Sequence, residues 1–112
     1  MPFIAITLKE PAPVLDLERM TREISAAAGI GPERLNLVVN TYSADRYYRG
    51  SGSKSPVIHI TIRRHNGPEV IQSLMRAAAG AVSAQTGTEA SKVTVCVSLM
   101  DDGYFLSGGT IQ

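Results

Sequence analysis

The chain has 112 residues, 44% of them hydrophobic and 19% charged, with a net charge of +1. This is the size and balance of one globular unit with a modest core. A charge near zero and the absence of tryptophan argue against nucleic-acid binding, no apolar run is long enough to span a membrane, and the single cysteine, Cys96, excludes an internal disulfide framework.

The first strand is predicted over Pro2 to Leu8. Ile4, Ile6 and Leu8 share one face, and Phe3, Ala5 and Thr7 the other. Lys9 to Val14 holds two prolines and reads as a loop. Asp16 is placed to cap a helix that runs to Ala28, with Leu17, Met20, Ile24, Ala27 and Ala28 at helical spacing. Gly29 and Pro32 end it. Leu35 to Tyr42 is the second strand, in which Leu35, Leu37 and Val39 alternate with Asn36, Val38 and Asn40. The glycine- and serine-rich stretch Ser43 to Ser55 reads as a loop, with room for a short hairpin over Tyr47 and Tyr48.

The third strand is Pro56 to Arg63. Asn66 is expected to cap a second helix, with Pro68 in its first turn and Glu69 closing a capping box. Val70, Leu74, Ala77, Ala78 and Ala81 are its predicted apolar stripe, and Gly87 its end. Val93 to Leu99 alternates as the fourth strand. Asp101 to Gln112 is glycine-rich and fits a small terminal hairpin.

The order is β-α-β followed by β-α-β, and the halves match. PFIAITLK from Pro2 aligns with PVIHITIR from Pro56, and LNLVVNTY from Leu35 with VTVCVSLM from Val93. In the same register Tyr47 falls on Phe105 and Gly50 on Gly108. The expectation is an internal duplication: one domain of two pseudo-repeats, 1–55 and 56–112. The fold class is α+β, with duplicated β-α-β units making a four-stranded mixed sheet and two helices on one face. The other face, carrying Phe3, Ala5, Thr7, Val57, His59 and Thr61, is left for partner subunits to cover. A β-α-β-β-α-β order also fits a ferredoxin-like module that binds a small molecule.

Pro2 stands out. A small second residue normally leads to removal of the initiator methionine, which would leave a secondary amine at the start of a strand. Desolvation lowers an amine's pKa, so a partly buried terminal proline is suited to act as a neutral base near pH 7. His59 and His65 have no ligand partners at metal-site spacing, so no metal is expected. Cys96, alternating with valines, reads as an inert interior thiol.

These features together resemble the tautomerase superfamily. PVIHITIRRHNGPEV looks like the start of a 4-oxalocrotonate tautomerase monomer, and MDDGYFLSGGT from Met100 is similar to its terminal glycine-flanked hairpin. The duplication looks like that of two-unit members such as malonate semialdehyde decarboxylase and macrophage migration inhibitory factor. The resemblance implies a homotrimer and a catalytic Pro2. It implies carboxylate binding by Arg63 or Arg64, with Tyr47 and Phe105 at the active-site aromatic position. Shorter members carry arginines where this chain has Asn66, Asn36 and Thr94. Asn36 is a candidate donor to an oxygen in a neighbouring subunit's site. Ile4 is expected to join the aromatics in keeping the pocket apolar.

The implied reaction is enol–keto interconversion of a small 2-oxo acid, with no cofactor. Decarboxylation, hydration or dehalogenation of a three-carbon acid is the alternative, with Asp45, Glu33, Asp101 or Asp102 available to activate water. If Met1 stays in place, Pro2 is an amide and a non-catalytic trimeric binding protein is implied. With no basic-then-apolar leader in the sequence, a cytoplasmic location is expected.

Overall fold

The computed structural model describes residues 1–112. Its elements are β1 (Phe3–Lys9), α1 (Leu17–Ala28), β2 (Asn36–Tyr42), β3 (Val57–Arg63), α2 (Gly67–Thr86), β4 (Thr94–Met100), β5 (Leu106–Ser107) and β6 (Thr110–Ile111). The main sheet runs β2-β1-β3-β4, and β5 and β6 form a separate hairpin. β1 is parallel to β2, β3 is parallel to β4, and the two central strands β1 and β3 are antiparallel. The class is therefore α+β, a four-stranded mixed sheet with two helices. Each helix joins two strands that are hydrogen-bonded neighbours. A ferredoxin-like arrangement, whose β-α-β units are split by another strand, is thereby set aside.

The alternation of the central strands decides which face is buried. Ile4, Ile6 and Leu8 of β1 and Ile58, Ile60 and Ile62 of β3 are at most 4% exposed. Met20 and Ile24 of α1 and Leu74, Ala78 and Val82 of α2 complete that layer. The edge strands supply Leu37, Val39, Val95 and Val97, which are half-buried against it.

α1 begins as its sequence dictates. The Asp16 carboxylate accepts the Arg19 backbone N–H at 3.0 Å, and Gly29 closes the helix in the left-handed region, φ 70°. α2 begins differently. Asn66 has helical dihedrals and belongs to a 3₁₀ turn, Arg64–Asn66. Its side-chain amide folds back to donate to the Arg63 carbonyl at 2.9 Å, so it caps nothing and no capping box forms. The helix starts at Gly67, and its phase puts Ile71 rather than Val70 in the core, leaving Val70 exposed. Ala27 of α1 is likewise exposed.

The other sheet face is uncovered. Phe3 and Val38 are 40% and 50% exposed there. Cys96, expected inside, lies on this face and is exposed, its sulfur 3.6 Å from His59 Nδ1. The 43–55 loop forms no hairpin. Arg49 gathers it instead, donating to the Ser55 carbonyl at 2.8 Å and the Thr94 hydroxyl at 3.0 Å.

The two halves repeat in detail. The Asn36 N–H donates to the Pro2 carbonyl at 3.1 Å, and the Thr94 N–H donates to the Pro56 carbonyl at 3.2 Å. Both prolines are buried. A 3₁₀ turn precedes each edge strand, Pro32–Arg34 before β2 and Ala90–Lys92 before β4. No helix is long and apolar enough to cross a membrane.

Candidate active site

Pro2 sits at the head of β1, buried, between the sheet and the start of β2. Two bonds from Asn36 fix its carbonyl, one from the backbone N–H at 3.1 Å and one from Nδ2 at 3.2 Å. The segment that carries the chain's amine is therefore held rather than frayed. Asn36 does this locally, on the residue next to the terminus.

The antiparallel register brings the cationic partner. Phe3 lies opposite Thr61. Two residues further along that ladder, the last residue of β3, Arg63, stands across from Met1. Its side chain is 15% exposed. One terminal nitrogen, Nη2, donates to Asp102 Oδ1 at 2.7 Å, whereas Nε is buried and has no partner. An unpaired buried N–H on a cation is costly, and the guanidinium that carries it is a charged group suited to a carboxylate.

The field at the terminus follows from this placement. The Met1 amine is held below its ordinary value of 8.0, first by burial and then by the Arg34 and Arg63 guanidinium groups. Arg34 ends the Pro32–Arg34 turn. The repeat itself marks it, because Lys92 occupies the matching place in the second half and keeps a cation ahead of each edge strand.

Asp102 sets the other side of the site. Arg63 beside it, by hydrogen bond and charge, holds its carboxyl below the usual 3.8, with a smaller contribution from His65 at 3.7 Å. Arg64 is more exposed and pairs with Asp101 at 2.7 Å. A cavity of about 170 Å³ opens here, lined by Arg64, His65, Met100, Asp101 and Asp102.

Phe105 arrives from the terminal segment and packs edge-on against Phe3, ring centres 6.0 Å apart. The β5–β6 hairpin that follows it is tied down by the Gln112 N–H on the Phe105 carbonyl at 2.7 Å. Ile4 does not line this region, since its side chain is buried under the helices.

Within one protomer Tyr47 is not part of the site. It packs edge-on against Tyr42, ring centres 5.0 Å apart. Tyr42 pairs with Lys9 at the far end of β1, about 20 Å from Pro2 at the rise of an extended strand. The structure thus brings Pro2, Asn36, Arg63, Arg64 and Phe105 to one end of the sheet, adds Arg34 and Asp102, and sends Tyr47 to the other. Burial and the guanidinium groups shift an amine here toward its neutral form, and an anion is drawn to the same place.

Comparison with solved structures identifies the fold. The chain matches a fused 4-OT solved as a symmetric trimer at TM-score 0.78 and 14% identity, over 97% of this chain and 94% of that one. A macrophage migration inhibitory factor-like protein from Entamoeba histolytica matches at 0.68 and 16%, over 99% and 98%. Malonate semialdehyde decarboxylase, described with decarboxylase and hydratase activities, matches at 0.68 and 14%, over 95% and 90%. The chain has the β-α-β fold of the tautomerase superfamily along essentially its whole length. No family model matches it, and no curated protein does.

Proposed function

We propose that this chain is a tautomerase-superfamily enzyme that interconverts the enol and keto forms of a small 2-oxo acid, with Pro2 as its base. The observation that carries the reading is the position of the terminal amine. It lies at the head of β1, held by Asn36, with its pKa lowered by burial and two guanidinium groups. Removal of Met1 transfers the amine one residue inward, to the buried Pro2 nitrogen. Desolvation there favours the neutral form, which accepts a proton.

In this reading Pro2 takes the enol hydroxyl proton and returns it to the neighbouring carbon. Arg63 receives the substrate carboxylate on its guanidinium group, and Arg34 and Arg64 add positive charge around it. Phe105 supplies an apolar wall. The uncovered sheet face, with Phe3 and Val38 exposed, packs against two further copies in a homotrimer, the assembly of the fused 4-OT that it matches. The equivalent bonds at Pro2 and Pro56 support a single domain made by duplication, 1–55 and 56–112.

Two measurements test the reading. Intact mass of the protein from its native host is expected to lack Met1. That protein is expected to convert enol phenylpyruvate or 2-hydroxymuconate to the keto form, and Pro2→Ala to lose the activity. Full activity in Pro2→Ala refutes the proposal. A retained Met1 favours a non-catalytic binding protein on the same scaffold.

A second reading rests on Asp102. Its ionised carboxylate lies beside Arg63, where it can orient water for hydration or decarboxylation of a three-carbon acid. Product analysis with malonate semialdehyde separates the two: acetaldehyde and carbon dioxide favour the second reading, and unchanged substrate the first.

A further inference from the structure

The far end of the sheet holds a second cavity, of about 230 Å³, to which the reaction proposed above assigns no role. Lys9, Tyr42, Tyr47, Tyr48, Arg49 and Lys54 dominate its lining, and no carboxylate contributes. None of its three cations takes part in an ion pair. Lys9 Nζ donates only to the Glu10 backbone carbonyl, at 2.9 Å. Arg49 is bonded only to neutral oxygens, those of Ser53, Ser55 and Thr94. In a chain of net charge +1, three unneutralised cations around one hollow concentrate positive potential there.

The walls select what can enter. Three of the four tyrosines of the chain line the cavity, and Tyr42 and Tyr47 meet edge-on, which keeps their rings at fixed angles. Such rings favour a flat, conjugated body. The volume lies below the range of about 300–1,000 Å³ typical of drug-sized ligands, so the guest is small. Lys9 and Lys54 also border the adjoining hollow that contains Pro56. The cavity therefore lies, in the second half of the repeat, where the Pro2 site lies in the first. Lys9 matches Arg63 and Tyr47 matches Phe105. The Pro56 nitrogen is an amide and supplies no base.

We propose that this cavity is a second anion site, one that binds a small carboxylate with a flat conjugated body through Lys9, Lys54 and the tyrosine rings. It is independent of whether the Pro2 site turns substrate over.

Benzoate is a suitable probe, and the chain supplies its own reporter. It has no tryptophan, so a Tyr104→Phe variant of the full chain emits only from the three tyrosines of the cavity. Titration with benzoate is expected to change that emission saturably, with a dissociation constant of about 1 mM or tighter. Binding should weaken as salt is raised. Lys9→Met with Lys54→Met is expected to weaken it by about tenfold or more; Lys54 is exposed, and Lys9 is half-buried with no ion pair, so methionine keeps the apolar stem of each. Arg63→Met is expected to leave it unchanged. The proposal is overturned if no saturable change occurs, if the double lysine variant binds as well as the parent, or if Arg63→Met abolishes the signal.

Discussion

Arg63→Met should separate stability from activity in opposite directions. In the native chain Arg63 Nε is buried without a partner. Leaving such a donor unsatisfied costs about 1–3 kcal/mol. The ion pair to Asp102 offsets little of this, because Asp102 is largely in water, where such pairs contribute little. Methionine reaches as far as the Nε position, places a methyl group there and removes the orphaned donor. The variant is therefore expected to be more stable by about 1 kcal/mol, read as a higher urea midpoint at fixed protomer concentration. Activity should move the other way. A hydrogen bond to a charged group contributes about 1.5–3 kcal/mol, so its loss on the substrate carboxylate lowers kcat/KM with phenylpyruvate by about ten- to a hundredfold. Unchanged kcat/KM would refute the carboxylate-binding role. Lost activity together with a lower midpoint would make Arg63 a structural residue and refute the argument from its free Nε.

A folded chain that retains Met1 holds the Met1 amine below 8.0, so between that lowered value and 8.0 the unfolded form of that chain binds more protons. Stability is expected to rise with pH across this window and to level off above it, as denaturant midpoints measured at successive pH values will show. Asp102 has the opposite sign. Its carboxyl is held below 3.8, so its contribution is present above that value and is lost as pH falls through the folded one; Asp102→Asn should flatten this acid limb. Ile60→Ala removes a fully buried side chain from the centre of β3 and should cost about 2–5 kcal/mol, with a proportionate fall in the urea midpoint.

Much of the fold was legible because its signals are local. Alternation in β1 and β3 names the buried isoleucines directly, and the Asp16 and Gly29 caps bracket α1 where the sequence places them. The start of α2 was not legible in the same way. Asn66, Pro68 and Glu69 have the composition of a capped helix, yet Asn66 spends its amide on the Arg63 carbonyl within a 3₁₀ turn. One residue of phase then moves the stripe from Val70 to Ile71. Cys96 shows a related limit. Its alternation with valines is real, but it does not say which set of side chains faces the helices.

The candidate site divides along the same line. Residue type, repeat alignment and the resemblance to the tautomerase superfamily, all read from the chain alone, select Pro2, Asn36, Arg63, Arg64, Tyr47 and Phe105 as the residues to watch. They determine equally that only the first of the two prolines can become an amine. Which of them meet was decided by the tertiary structure. The antiparallel pairing of β1 with β3 carries Arg63 to the terminus, the parallel pairing of β3 with β4 brings the segment that bears Phe105 to Phe3, and the parallel pairing of β1 with β2 carries Tyr47 away with Tyr42. Arg34 and Asp102 join only because separate turns end at the same corner. Periodicity reports a residue's face, and the pairing of distant strands decides its neighbours, so the lowered amine pKa and the unpaired Arg63 Nε appear only in the folded chain.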